Sequence, residues 1–253
     1  MPVLTGLEIR FISAARTLAV ACGPPLILVC IITVVAASMR RRLTAAAMRF
    51  RPLRALLWLG VATHECGHLL GCLFTLTPVS QVKIQWHSGH VRHLKRGWLG
   101  EAVIAAGPIA SSTLVSLLVS WLVFGPSFRA AARPFMVPQP SEAWLETAFH
   151  AFLHELSALV AGHWYVSIPA LLVLGGMLSS AAPSAPDMRM AIPGIVLGVL
   201  GLLAIDVCAR TAGLDGLASG LAPVLGPVST VLGIATLACL LSLLVVAPLS
   251  LLG

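Results

Sequence analysis

Long apolar stretches separated by short polar ones organise this chain. Six runs stand out, at residues 18–38, 55–82, 102–128, 156–186, 190–205 and 216–250. About 20 apolar residues span the hydrocarbon core of a bilayer as a helix, and several of the runs reach that length. The run at 190–205 is short and needs a tilt or a locally thinned bilayer. The run at 216–250 is longer than one crossing and contains Gly226-Pro227, so it bends or begins at the interface. Lipid admits only helices or closed barrels, and these runs lack the alternation of a barrel. The pattern therefore predicts an all-α polytopic membrane protein with about six transmembrane helices.

Two shorter patterns depart from that theme. Val79 to Val91 alternates up to Ser88-Gly89, a hairpin-type turn signal. The stretch 125–155 opens with Gly125-Pro126, carries several prolines and arginines, and reads as non-membrane. Its second part, 141–155, has a plausible N-cap in Ser141 and apolar residues at Leu145, Ala148, Phe149, Phe152 and Leu153. That spacing predicts an interfacial amphipathic helix. The first run contains Gly23-Pro24-Pro25 and follows Arg10 and Arg16; its length favours a retained anchor over a cleavable signal peptide. No internal repeat is visible, so the chain is taken as one integral membrane domain over 1–253.

Composition strengthens the membrane reading. The chain is 58% hydrophobic and 10% charged, against roughly a quarter charged in soluble domains. The net charge of +7 does not point to nucleic acid, because Arg40, Arg41, Arg42, Arg49, Arg51, Arg54, Lys83, Arg92, Lys95 and Arg96 fall in segments flanking the apolar runs. There they suit anionic headgroups, so the lipid bilayer is a partner and nucleic acid is not. Single crossings by the first three runs would put 40–54 on one face and 78–97 on the other, both basic, so charge does not orient the chain. The six cysteines show no paired spacing and read as small buried hydrophobes.

Inside the second run lies His64-Glu65-Cys66-Gly67-His68. Ionisable groups at membrane depth are costly and mark function by default. Histidines at i and i+4 share a helix face and can reach one ion, and neutral imidazole suits Zn²⁺. Glu65 is placed to take a proton from a water activated by that ion. Cys66 and Gly67 read as small spacers leaving room for substrate, with Cys66 not a ligand. A catalytic zinc wants a third protein ligand. The candidates are Asp187, which follows the helix-interrupting Pro183 and Pro186; Asp215, in a turn-like Gly213-Leu214-Asp215-Gly216; and Glu101, near the start of the third run. Asp206 reads as an i,i+4 partner of Arg210. His87, His90 and His93 read as solvated loop residues, His150 and His154 as interfacial ones, and His163 as a span-boundary residue.

His-Glu-Cys-Gly-His in one apolar helix, Ala106-Gly107-Pro108-Ile109-Ala110-Ser111 in the next and a proline-rich Asp segment after it together resemble the site-2 protease family of intramembrane zinc metalloproteases. The family pattern has Asn where Ser111 and Ser180 stand, and its Asp lies within Leu-Asp-Gly. Asp187 matches by its Ser-x-x-Pro context, and Asp215 by the literal Leu-Asp-Gly, so Asp187 is favoured and Asp215 is second. The resemblance covers roughly 55–190. It implies one Zn²⁺ per chain held by His64, His68 and the Asp, with Glu65 as catalytic base. It implies a small membrane-associated β-hairpin after the motif helix, whose Val82 and Ile84 support an extended substrate, and a Gly107-Pro108 pair that allows close helix approach and a local break. It implies a protease core at 55–190, preceded by an N-terminal span and basic loop (1–54) and followed by further C-terminal spans (191–253). The function implied is endopeptidase cleavage of membrane-spanning protein segments, in a multi-pass protein of the cell membrane. A metal- or proton-translocating protein, or a catalytically silent relative that binds membrane partners, are the alternatives; the oligomeric state is left open.

Overall fold

The computed structural model describes residues 6–136, 164–213 and 217–248, together with His150, His154 and Ser157. The predicted amphipathic helix at 141–155, His163 and Asp215 therefore lie outside the described residues, apart from His150 and His154. The described chain is mostly helical with one small sheet. In order come α1 (Gly6–Arg49), α2 (Leu53–Phe74), β1 (Val79–Ile84), β2 (Gly89–His93), α3 (Trp98–Met136), α4 (Trp164–Leu178), α5 (Ala185–Thr211) and α6 (Leu217–Val246).

Each apolar run lies wholly or partly in one helix, but the boundaries move. α1 has 44 residues, roughly 66 Å at 1.5 Å per residue and about twice a hydrocarbon core. It runs unbroken through Gly23-Pro24-Pro25 and carries Arg40, Arg41, Arg42 and Arg49, so most of the basic loop expected at 40–54 is helix. α3 likewise continues through Gly125-Pro126 to Met136, into the stretch expected to be non-membrane.

Two helices among the described residues are long and apolar enough to cross a membrane: Trp98–Val119 in α3 and Pro186–Thr211 in α5. The expected count of about six contracts to two on that criterion. α2 has the length, with 22 residues, but its two histidines and glutamate dilute its apolar character. Tyr165–Leu178 in α4 and Val231–Val246 in α6 are shorter apolar stretches among the described residues. In the α5 span only 11% of the apolar window is buried, the reverse of a soluble core helix. Ile192, Ile195, Val196, Val199 and Leu200 all face outward.

The core sits between α1 and α6. Leu28, Ile32, Ala36 and Met39 pack with Leu232, Ala235, Ala238 and Cys239, and Leu178, Ala181 and Ala182 close the cluster. α2 makes its largest contact with α3, where both helices are thinned to glycine. A Cβ on Gly67 would lie 2.5 Å from Gly107 and Pro108 backbone atoms, and one on Gly107 would strike the Gly67 carbonyl. The close approach expected of Gly107 and Pro108 is present; the local break is not, because α3 passes through Pro108 uninterrupted. Gly67 is a helix-contact residue, not a spacer for substrate. Cys66 is exposed, as are Cys30 and Cys208, whereas Cys72 and Cys239 are buried; all six cysteines are free.

The hairpin forms as expected, with antiparallel pairs Val82↔Val91, Lys83↔His90 and Ile84↔Gly89 and an irregularity between Val79 and Gln81. Its direction is less expected. After α2 the chain reverses tightly: Leu76 adopts φ 52°, Thr77 N donates to Cys72 O and Leu76 N to Leu73 O. This is the bonding of a helix stop in which glycine is the usual residue. The hairpin then runs back along α2. Its tip reaches the opposite end of that helix, where the Arg54 guanidinium lies 5.0 Å from the Trp86 ring and Arg40 donates to His87 O. The segments 40–54 and 78–97 thus meet, contrary to the opposite-face arrangement expected from single crossings.

Candidate metal centre

The site is assembled from α2, the start of α5 and the hairpin. The 3.6-residue period stacks His64 and His68 on one face of α2, with ring centroids 4.9 Å apart and planes at 82°. Each ring is fixed from behind. His64 Nδ1 donates to Ser180 O at 2.5 Å, and His68 Nδ1 donates to Ile104 O at 3.0 Å. Carbonyl oxygens only accept, so both Nδ1 atoms carry hydrogen and both Nε2 atoms of the neutral rings present lone pairs.

Those lone pairs face a carboxylate. His64 Nε2 lies 3.5 Å from Asp187 Oδ2, and His68 Nε2 lies 3.3 Å from Asp187 Oδ1. Asp187 arrives there because α4 stops at Leu178, Ser179 to Ser184 are not helical, and α5 begins with Pro186 in its first turn. Proline fits that position, where its missing N–H would go unpaired. Ser184 and Asp187 form a reciprocal cap: Ser184 N donates to Asp187 Oδ2 (2.7 Å) and Asp187 N to Ser184 Oγ (3.3 Å). The positive end of the α5 dipole also favours the anion.

His64, His68 and Asp187 are 7%, 7% and 4% exposed. Their ligating atoms all lie within 4.8 Å of one another, an arrangement that could hold a metal ion. A bound cation would compensate two lone pairs that meet a buried carboxylate with no donor between them. Ligand atoms about 2.0–2.1 Å from a tetrahedral ion stand roughly 3.3 Å apart, and the two N···O separations fall near that value.

Glu65 is 3% exposed, and its Oε2 has no hydrogen-bond partner. The hairpin leaves it room by placing a glycine against it: a Cβ on Gly89 would lie 2.6 Å from Glu65 Cγ and Oε1. A cavity of about 260 Å³ opens here, lined by His64, His68, Asp187, Glu65, Arg40, Ser180 and residues of the hairpin and α5.

The sequence-predicted residues divide as follows. His64, Glu65, His68 and Asp187 come together. Glu101 is elsewhere, accepting from Arg96 N at 2.8 Å, and Asp206 pairs with Arg210 at 2.8 Å as expected. Gly107 and Pro108 support α2 from behind. Val82 and Ile84 do not line the cavity; β2 does, through Gly89, His90, Val91 and His93. His90 and His93 are thus cavity residues, not solvated loop histidines. The available signal was a histidine directly after the hairpin glycine, which alone cannot be told from a loop residue. Searches against family models, curated proteins and solved structures find no match to the chain.

Proposed function

We propose that this protein is a zinc-dependent intramembrane endopeptidase of the site-2 protease type. The observation that carries the proposal is the convergence of two orientation-locked imidazole lone pairs and the Asp187 carboxylate beside an unpartnered, buried Glu65. Two imidazoles and one carboxylate are a donor set of catalytic zinc. His64, His68 and Asp187 would hold the ion, with Asp187 preferred over Asp215. Zinc, when bound, supplies Lewis-acid polarisation of the scissile carbonyl and of the attacking water. Glu65 accepts the proton of that water and delivers it to the departing amine nitrogen. The hairpin over the site limits bulk water and leaves β1 paired only with β2 among the described residues, so its other edge is free to take an extended strand.

The substrate class is a membrane-spanning helix, unwound near the site. The outward-facing apolar side chains of α3 and α5 and the position of the cavity among apolar helices support this reading. On this proposal the remaining apolar helices also lie in the bilayer, as part of a multi-pass protein of the cell membrane. The test is Glu65→Gln in purified, zinc-loaded protein. Cleavage of a reporter membrane helix should fall at least ~10³-fold with zinc retained, as for loss of a general base within a coupled set. Cleavage at the wild-type rate would remove the mechanism.

A further inference from the structure

His90 has no role in the chemistry so far, yet its Nε2 is buried without a hydrogen-bond partner. Buried polar atoms in folded proteins are almost always paired, and an orphan at a cavity wall calls for an explanation. His90 lines the same cavity as Glu65 and the three ligands. It is held on β2 opposite Lys83, directly after the glycine that contacts the Glu65 carboxylate. It lies within electrostatic reach of Glu65, but it does not belong to the cluster of ligating atoms formed by His64, His68 and Asp187. It therefore stands at the reacting centre without being one of the proposed metal ligands.

We propose that His90 is a catalytic residue whose Nε2–H donates a hydrogen bond to the scissile carbonyl oxygen as that oxygen gains negative charge. This rests on the endopeptidase function proposed above. In the attack step the water oxygen bonds to the carbonyl carbon, the water proton passes to Glu65, and the C=O π pair moves onto the oxygen that His90 faces. In the collapse step that pair re-forms C=O, the C–N bond breaks, and the proton on Glu65 goes to the amine nitrogen. His90 transfers no proton; it stabilises the oxyanion. A donor aimed where charge develops, in a site shielded from water, is worth more in the transition state than in the ground state. On this proposal the hydrogen-bond partner of the buried Nε2 is the substrate oxygen.

The experiment compares zinc-loaded, full-length wild type, His90→Ala, His90→Gln and Glu65→Gln on one reporter membrane-helix substrate. It records kcat, KM, zinc per chain and affinity for a phosphinic peptide, whose anionic oxygens imitate the oxyanion. Loss of a single oxyanion donor reduces kcat by ~10²–10³. His90→Ala should show that loss with KM within about threefold and zinc unchanged, and it should bind the phosphinic peptide at least ~30-fold more weakly. His90→Gln, which returns an N–H donor near the same place, should recover about tenfold or more of the lost kcat. Wild-type kcat in His90→Ala would overturn the proposal. So would loss of zinc, which would make His90 a ligand, or equal losses in the alanine and glutamine variants. Zinc-loaded wild type that cleaves nothing sinks the endopeptidase function and this proposal together; wild-type cleavage with an indifferent His90→Ala sinks only this one.

Discussion

The main-chain amide of Ser184 donates to Asp187 Oδ2 over 2.7 Å, and through that bond the first turn of α5 aims the carboxylate at His64 and His68. The cap of a helix and the orientation of a ligand are here the same contact. A hydrogen bond from behind typically changes metal affinity by 10–100-fold.

Two substitutions at Ser184 separate the two roles. Ser184→Ala removes the hydroxyl cap and should cost about 1 kcal/mol in stability, with zinc affinity within about tenfold of wild type because the N–H to Asp187 survives. Ser184→Pro removes that N–H at a residue whose φ of −71° already suits proline. It should weaken zinc binding 10–100-fold. Competition with a fluorescent zinc chelator reads both values; equal affinities in the two variants would contradict the orienting role.

The Gly67–Gly107 contact predicts a stability effect that reaches the site. Gly107→Ala inserts a methyl where the Gly67 carbonyl already lies and must push α2 from α3. Overpacking of this kind costs typically 1–3 kcal/mol. Because His68 Nδ1 bonds Ile104 O on α3, the shift should also loosen the ligand. A lowered thermal midpoint in detergent together with weaker zinc binding is the expected result.

Gly89→Ala acts on Glu65 instead. The added methyl would overlap the Glu65 carboxylate, which must move, and its nearest neighbours all belong to Glu65, not to His64, His68 or Asp187. A displacement near 1 Å in a catalytic group can cost ~10² in rate. The expected outcome is a kcat about 10²-fold down with full zinc occupancy, measured by reporter cleavage and elemental analysis on the same sample.

On the proposed function, metal removal should be felt by the whole fold, since the residues that could hold the ion come from α2 and α5, which are far apart in the chain. Chelation would then leave the Asp187 carboxylate facing two lone pairs without a metal ion. Binding at about 1,000 times Kd contributes about 4 kcal/mol to the folded state. Dialysis against a chelator should lower the thermal midpoint by several degrees, and added zinc should restore it.

What the sequence made legible follows from which forces are local. His64, Glu65 and His68 are set by one helical period, and the Ser184–Asp187 region announced itself by Pro183 and Pro186, so the centre was readable. The hairpin was readable from alternation closed by Ser88-Gly89. Its course was not, because that depends on Leu76 taking a left-handed conformation that no residue type there signals. His90 and His93 were read as solvated loop residues for the same reason: only the folded-back hairpin brings them to the cavity that Glu65 lines. Gly67 was misread because its role depends on Gly107, in another helix. Among the described residues only two helices meet the length and apolarity of a crossing, because run length ignores both interior polar groups, such as the histidines and glutamate of α2, and how a run divides, as where 55–82 splits into α2 and β1.

The most direct measurement is zinc per chain, by elemental analysis of purified wild type, Asp187→Ala and Asp215→Ala. The predicted result is about one zinc in wild type and in Asp215→Ala and almost none in Asp187→Ala, as expected for loss of one of three protein ligands. Full zinc in Asp187→Ala, with loss in Asp215→Ala, would contradict the centre described here.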